Sequence, residues 1–269
     1  MPYINASCNK TLRILNETPA SGSAVRIALF TDIHGNREAL AACLAHAHDN
    51  AIDRHVFLGD YVGYGADPGW VVDTIAREVE RGAVAVLGNH DAATFSDSYR
   101  MNDLATIAIE WTRQQLDETQ CDFLSRLPLE VLDGERLYVH ASADEPGQWH
   151  YVTDIYSASR SLAATQARLT FCGHTHLPAL FNASVTGKLS AFQPTWRPIP
   201  LAPSRRWLAV IGSVGQPRDD NPAACYAVLD DASNELTYVR VAYDVDSAGR
   251  KIRDAGLPVA LADRLQFGY

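Results

Sequence analysis

The first two-thirds of the chain alternates short, apolar, β-branched segments with longer segments of helical periodicity. The short segments predict strands over 25–30, 55–59, 83–88, 136–141 and 168–173. Between them, apolar residues recur every three or four positions, which predicts helices over 36–48, 68–81, 103–117, 120–126 and 153–165. Because parallel strands need a long crossover connection, usually a helix, this alternation predicts βαβ units and a largely parallel sheet.

The pattern changes after residue 176, where further apolar segments are separated only by short polar turns. They predict an antiparallel meander of strands over 179–184, 188–193, 207–212, 224–230 and 235–244. Two short helices, over 247–255 and 258–266, are predicted to end the chain.

The domain organisation follows from the lack of any internal repeat or linker-like stretch in the 269 residues. We predict a single domain, 25–269, preceded by a polar N-terminal tail, 1–24, which Ile14 and Leu15 attach to the domain. Two mixed β-sheets pack together and helices flank them, which gives a four-layer αββα sandwich of the α/β (α+β) class.

The charge and composition of the chain exclude several function classes. With 32 acidic and 23 basic residues the net charge is −9, which repels phosphate backbones, so general nucleic-acid binding is not expected. No stretch of about 18 apolar residues occurs, so no membrane span is predicted. The first 24 residues lack the apolar core of a signal peptide, and the five cysteines are widely spaced. We therefore expect a cytoplasmic protein with reduced thiols.

Five clusters of Asp, His and Asn directly follow predicted strands. They are Asp32-Ile33-His34-Gly35-Asn36, Gly59-Asp60, Gly88-Asn89-His90-Asp91, His140 and Gly173-His174-Thr175-His176. Because ligands of open α/β sheets bind at the carboxyl ends of the strands, we expect these side chains to meet at one edge. Carboxylates, imidazoles and amides without a cysteine favour Mn²⁺, with Fe, Zn²⁺ and Ni²⁺ as alternatives.

Seven of these side chains are too many for one tetrahedral ion, and they suit two ions that share a bridging carboxylate. We allocate Asp32, His34 and His176 to the first metal, Asn89, His140 and His174 to the second, and Asp60 to both. Two ions about 3.5–4 Å apart generate a hydroxide nucleophile at neutral pH and clamp the oxygens of an in-line phosphoryl displacement. The clusters therefore predict phosphoester hydrolysis at a dinuclear metal centre.

The clusters resemble the ordered motifs of calcineurin-like metallophosphoesterases, which are D-x-H, GD, GNH[DE], H and GHxH. Here they are TDIHGN, LGDYVGYG, LGNHD, VHAS and CGHTH, in that order and within residues 27–176. Two later segments, GSVGQPRD (212–219) and KIRDAGLP (251–258), are similar to the small bacterial and archaeal phosphodiesterase branch of this superfamily.

The resemblance implies a fold, a reaction and a role for one further histidine. The fold is the αββα sandwich already expected, and the reaction is in-line attack of a metal-bridging hydroxide on a phosphoester, with a phosphodiester favoured. His90, next to Asn89, is then not a metal ligand but stabilises the transition state or protonates the leaving oxygen.

Three departures from the family pattern bear on the substrate. Protein phosphatases of this superfamily have GDYVDRG as the second motif, whereas Gly63 and Tyr64 here replace an Asp that pairs with the catalytic His and an Arg that binds phosphate. The fourth motif is His140-Ala141-Ser142 and not His-Gly. These changes argue against the mechanism of protein phosphatases and of symmetrical diadenosine tetraphosphatases. Asp91 could partly support His90 in place of the missing Asp, but the two residues are adjacent and adjacent side chains rarely face each other.

Candidate substrate contacts are Asn36, His150 and Arg218, each with a structural alternative. Asn36 either contacts a phosphate oxygen or caps the following helix. His150, flanked by two aromatic residues, either contacts the leaving group or packs at the surface. Arg218 either holds a phosphate oxygen with its planar fork or pairs with Asp219 or Asp220.

Two alternatives to a phosphodiesterase stay open at the level of sequence. The first is a phosphomonoesterase acting on proteins or nucleotides. The second is a metal-bound scaffold without turnover, which the complete set of predicted ligands and His90 disfavours. No pattern in the sequence indicates an oligomeric state.

Overall fold

The computed structural model describes residues 13–15, 25–96 and 101–269, the first three as backbone only. Within these residues the predicted four-layer sandwich is confirmed, because two mixed β-sheets face each other and helices cover their outer faces. The layer between the sheets contains buried side chains from both, such as Leu29, Val56, Tyr138 and Phe171. Among the described residues, no helix has both the length and the apolar character needed to cross a membrane.

The first sheet has seven strands in the described part of the chain. They are β1 (Arg13–Leu15), β5 (Glu130–Asp133), β6 (Arg136–Val139), β7 (Leu169–Cys172), β8 (Ala179–Ala183), β9 (Leu189–Phe192) and β11 (Arg206–Val210). Their spatial order is β1-β5-β6-β7-β11-β8-β9. Strands β6, β7 and β11 run parallel, whereas β8 and β9 are antiparallel to their neighbours.

The second sheet has six strands among the described residues. They are β2 (Arg26–Phe30), β3 (Arg54–Phe57), β4 (Val84–Ala85), β10 (Ile199–Pro200), β12 (Ala224–Asp230) and β13 (Glu235–Val241). Their spatial order is β10-β13-β12-β2-β3-β4. Strands β2, β3 and β4 are parallel, and β12 pairs antiparallel with both β2 and β13.

Eight α-helices lie within the described residues. They are α1 (Arg37–Asp49), α2 (Pro68–Glu80), α3 (Asn89–Ala93), α4 (Asp103–Gln115), α5 (Glu118–Arg126), α6 (Ile155–Ala163), α7 (Val245–Asp254) and α8 (Val259–Phe267). Five of them begin at an Asn or Asp whose side chain accepts a backbone N–H of the first turn, which satisfies a donor that would otherwise lack a partner. Helices α1 and α2 cover the second sheet, and α6 covers the first.

The predicted antiparallel meander after residue 176 is wrong, because its strands are divided between the two sheets. Strand β11 inserts beside β7 in parallel, and β12 pairs with β2 in the other sheet. The physical reason is burial: residues 224–229 of β12 are all buried, so both faces of this strand must be covered.

Other boundaries also differ from the predictions. Of the predicted strand 83–88, only Val84–Ala85 pairs, and the chain then turns into the short helix α3. Within the predicted tail 1–24, Arg13–Leu15 pairs in parallel with β5, while the rest of the tail lies outside the described residues. The tail and the 25–269 domain boundary therefore stay predictions.

Candidate metal centre

The structure brings all seven predicted ligand side chains together at one edge of the sandwich. Segments after β2, β3 and β4 meet those after β6 and β7, and the His174 N–H donates to Asp32 Oδ2 at 2.9 Å across the two sheets. Potential ligand atoms lie within 4.8 Å of one another in two groups, Asp32–His34–His176 and Asp60–His140–His174. All six of these residues are buried, and Asn89 is half-buried.

The first group converges on a point between two imidazoles and a carboxylate. His34 Nε2 lies 3.0 Å from His176 Nε2, and His176 Nε2 lies 3.2 Å from Asp32 Oδ1. Asp32 Oδ1 is buried without a hydrogen-bond partner, whereas Oδ2 accepts from the Thr31 hydroxyl at 2.7 Å and from the His174 backbone. A buried carboxylate oxygen without a donor is expected where a cation binds.

The second group is centred on His140. Its Nε2 lies 3.1 Å from Asn89 Oδ1, 3.1 Å from His174 Nδ1 and 3.3 Å from Asp60 Oδ2. The same Asp60 oxygen lies 3.7 Å from His34 Nε2 in the first group. Asp60 is therefore placed between the two groups, as a bridging ligand requires.

Backbone carbonyls determine which ring nitrogens carry protons. The Nδ1 atoms of His34, His140 and His176 lie 3.1, 2.8 and 2.6 Å from the carbonyl oxygens of Val62, Leu58 and Gln216. Because a carbonyl only accepts, each Nδ1 carries a proton, and Nε2 is the nitrogen left to bind a metal. Lone pairs facing each other at 3.0 Å need a cation or a proton between them, so the donor set fits a divalent metal.

Five of the seven predicted ligands have left-handed backbone conformations. Asp32, His34, Asp60, His174 and His176 have φ between 51° and 68°. Such values are uncommon outside glycine and, in series, indicate strain that the surrounding structure must support. Here the Ile33 and His34 N–H groups both donate to the Asp60 carbonyl, at 2.8 and 2.9 Å, which joins the first two ligand segments.

Lack of space explains why a glycine, Gly173, precedes the last histidine pair. A Cβ at this position would lie 2.0 Å from Thr31 Oγ1 and 2.3 Å from Asp32 Oδ2. Only glycine lets the segment after β7 approach closely enough to donate to Asp32.

Asp91 has a positioning role that the sequence did not reveal. Its carboxylate accepts backbone N–H groups of Asp60 at 2.9 Å, Tyr61 at 2.8 Å and Gly88 at 3.0 Å. It therefore fixes the backbone of the bridging ligand and, as expected for an adjacent side chain, does not support His90. The available signal was its place directly after the Asn-His pair of the third motif.

Burial and neighbouring charges together shift the pKa values of the side chains in the centre. Burial alone raises the pKa of Asp60, but the imidazoles of His140 and His90 outweigh it and hold the pKa well below its usual range. Burial lowers the pKa of His174 to about 3, so this ligand is neutral. Burial also lowers the pKa of His140, but Asp60 outweighs it and raises the pKa to about 9. Metal binding at His140 therefore displaces a proton.

His90 lies beside the first group, and among the described residues its ring forms no ion pair within 4.0 Å of a carboxylate. Its Nδ1 is buried without a hydrogen-bond partner, and a Cβ at Gly63 would lie 2.4 Å from it. Its ring stands 4.8 Å from that of His34 and 4.6 Å from that of Tyr64, between centroids. Burial lowers the pKa of His90 to about 4. The neutral ring keeps one N–H to donate.

Two of the three predicted substrate contacts are placed elsewhere by the structure. Asn36 Oδ1 accepts the Ala39 N–H at 3.1 Å, and its Nδ2 donates to the Gly215 carbonyl at 2.8 Å, so Asn36 caps α1 and the predicted phosphate contact is not supported. His150 lies 3.6 Å from Glu145 in an exposed loop. The neighbouring Tyr151, one of the two aromatic residues that flank His150, stacks on His174 instead.

Arg218 is placed at the rim of the centre, close to Tyr64 and Gln216. Its guanidinium carbon lies 5.9 Å from the Tyr64 ring centroid, and one terminal nitrogen donates to Gln216 Oε1 at 3.0 Å. Its Nε is buried without a partner. Among the described ion pairs, Asp219 pairs with Arg240 and not with Arg218.

Fold and site together define a metallophosphoesterase, and comparison with known proteins gives the family. The sequence model of the "Calcineurin-like phosphoesterase superfamily domain" matches residues 25–234. The chain therefore belongs to the calcineurin-like phosphoesterase superfamily, whose members depend on a dinuclear metal centre, and it is a hydrolase of phosphoric ester bonds.

Individual relatives support this assignment over nearly the whole chain. An uncharacterised protein of Methanocaldococcus jannaschii is 35% identical over 248 residues, which cover 90% of this chain and 98% of the relative. A metallophosphoesterase from Sphaerobacter thermophilus is 32% identical, with a TM-score of 0.81 over 92% of this chain and 100% of that structure. A hypothetical protein from Pyrococcus horikoshii, 18% identical, shares the fold with a TM-score of 0.73 over 91% and 99% of the two chains.

Proposed function

We propose that this protein is a phosphodiesterase that uses two divalent cations, with Mn²⁺ the best fit and Fe, Zn²⁺ and Ni²⁺ as alternatives. The observation that carries the proposal is the pair of converging donor groups joined by Asp60, whose Oδ2 lies 3.3 Å from His140 Nε2 and 3.7 Å from His34 Nε2. When bound, two such cations supply Lewis acidity that activates water and neutralises charge on the phosphoryl oxygens.

The protein's own residues supply orientation and proton handling. The carboxylates of Asp32 and Asp60 are held ionised by the surrounding imidazoles, although burial opposes this. His90 donates a hydrogen bond from its remaining N–H to the leaving oxygen and keeps the proton, and Arg218 holds an oxygen of the phosphoester. The positive charge of Arg218 also lowers the pKa of His90, although burial has the larger effect.

The residues at 63 and 64 favour a diester over a monoester. A side chain at Gly63 has no room beside His90, so the aspartate that orients the histidine in protein phosphatases is excluded. Tyr64, which is buried against the His34 and His90 rings, occupies the place of a phosphate-binding arginine. The site thus offers one positive charge fewer, which suits a diester because it carries one negative charge fewer than a monoester dianion.

A direct assay separates the two substrate classes. Metal-stripped protein reloaded with Mn²⁺ should hydrolyse bis(p-nitrophenyl) phosphate with a kcat/KM at least about 10-fold above that for p-nitrophenyl phosphate, which corresponds to about 1.4 kcal/mol. A reversed preference would replace the diester by the monoester. No turnover of either compound, with two metals bound, would favour the non-catalytic scaffold.

A phosphomonoesterase is the second candidate, and the position of Arg218 favours it. The buried, partner-free Nε of Arg218 is available to a charged phosphoryl group near Tyr64. For a diesterase, we expect Arg218→Ala to lower kcat/KM by about 10-fold for the diester, the cost of one charge-assisted hydrogen bond. The exposed Arg250→Ala variant on α7 serves as the control. If Arg218→Ala lowers kcat/KM far more for the monoester than for the diester, the result would support a phosphomonoesterase.

We also propose that the protein acts in the cytoplasm and has a small phosphoester as its partner, with no general nucleic-acid or membrane binding. The four described cysteines, Cys43, Cys121, Cys172 and Cys225, are free thiols, which supports a reducing compartment. The net charge of −9 supports the lack of nucleic-acid binding.

A further inference from the structure

The loop over residues 142–152 folds back and places two aromatic rings on the second group of ligands. The Ser142 N–H donates to the His150 carbonyl at 3.2 Å, which closes the loop. The Trp149 ring then meets that of His140 edge-on, with centroids 5.8 Å apart. The Tyr151 ring stacks on His174, with centroids 4.2 Å apart and planes at 21°.

The two rings differ in exposure, and this separates packing from recognition. Trp149 is 8% exposed and is part of the core, whereas Tyr151 is 56% exposed although one of its faces covers His174. A smaller apolar side chain would shield the imidazole without leaving a large ring in water. The outer part of the Tyr151 ring is therefore open to a ligand at the rim of the centre.

The surroundings of Tyr151 place it within reach of a bound phosphoester. Its ring stacks on His174, whose Nδ1 lies 3.1 Å from His140 Nε2, and this nitrogen lies 3.3 Å from Asp60 Oδ2. Tyr151 therefore lies on the second group of predicted ligands, which also contains the proposed bridging carboxylate. A phosphoester bound at this group would carry a neighbouring substituent close to the Tyr151 ring.

We propose that Tyr151 is a stacking platform and that the substrate is a phosphodiester carrying a planar aromatic ring, such as a nucleobase, beside the scissile phosphate. The inference rests on the proposed function, whose substrate class it narrows. Stacking suits this position because every nucleobase has a π-face, so the exposed ring binds bases without hydrogen-bond readout.

The test compares two phosphates that differ only by the base. Isothermal titration of the Mn²⁺-loaded protein with adenosine 5′-monophosphate and ribose 5-phosphate measures binding without turnover. We expect the nucleotide to bind at least about fivefold more tightly, the lower end of base–aromatic stacking. Equal affinities in the unmodified protein would overturn the proposal, and this comparison needs no variant.

Three variants then show whether Tyr151 causes the tighter binding of the nucleotide. Tyr151→Leu should reduce the affinity ratio to about one, whereas Tyr151→Phe should keep it, because the π-face and not the hydroxyl is used. Tyr156→Leu, which changes a tyrosine that is 84% exposed on α6, should leave the ratio unchanged. An unchanged ratio in Tyr151→Leu would overturn the proposal. A Tyr151-dependent ratio in a protein that hydrolyses neither p-nitrophenyl substrate would refute the proposed function but not the platform.

Discussion

Replacing Asp60 by asparagine should abolish metal-dependent hydrolysis, with kcat/KM falling by more than about 100-fold. Loss of a residue that merely supports a ligand typically costs about 10- to 100-fold, and Asp60 is proposed to contact both ions. Its Oδ2 is the atom shared between the two groups, at 3.3 Å from His140 and 3.7 Å from His34. A neutral amide bridges two cations poorly because it offers only one oxygen and no charge.

The asparagine variant keeps the shape of the site, which makes the result interpretable. The Asp60 Oδ1 atom accepts the His90 backbone N–H at 2.8 Å, and an asparagine oxygen still accepts it. Metal content by mass spectrometry of the purified protein and bis(p-nitrophenyl) phosphate hydrolysis are measured together. The exposed Asp254→Asn variant on α7 removes the same charge and should retain both. Retained turnover in Asp60→Asn would eliminate the bridging role.

Replacing His90 by alanine should leave both metals in place and lower kcat by about 10²- to 10³-fold, the cost of removing one hydrogen-bond donor that stabilises the transition state. The ring lies beside the first group of predicted ligands, and its Nδ1 has no hydrogen-bond partner among the described residues. KM should change far less than kcat, because the phosphate contact at Arg218 is untouched. Metal content and steady-state kinetics measure the two effects separately.

Two further variants test whether the loss of kcat comes from a change in packing and not from the loss of the imidazole. His90→Gln keeps most of the side-chain volume and should lose kcat like the alanine variant, while the exposed His48→Ala on α1 should not. A ring nitrogen of His90 lies within 4.8 Å of ligand atoms of His34 and Asp60, so direct ligation is a real alternative. Loss of one metal from His90→Ala would establish it, and an unchanged kcat would remove the catalytic role altogether.

The convergence of the predicted ligands was predictable from the sequence because their signal is local. Asp32-Ile33-His34 and His174-Thr175-His176 each follow a strand that its own apolar pattern identifies, and parallel strands end at a common edge. The partition of the later strands was not predictable in this way. Strand β11 pairs with β7 and β12 pairs with β2, both distant in the chain, and the apolar pattern of a segment does not specify which sheet it joins.

The surroundings of the ligands were also beyond the sequence. The carbonyls of Leu58, Val62 and Gln216 orient the ligand histidines, but a backbone carbonyl leaves no trace in residue identity. Tyr151 stacks on His174 only because the preceding loop closes back on itself, with Glu145 and Trp149 in left-handed conformations. Loop closure of this kind depends on tertiary contacts more than on local propensity.

Anomalous diffraction from crystals soaked in Mn²⁺ tests the dinuclear centre most directly. We expect two peaks, one in contact with Asp32, His34 and His176 and one in contact with Asn89, His140 and His174, with Asp60 touching both. A single peak, or peaks that lie away from these side chains, would contradict the two-metal centre on which the proposed hydrolysis depends.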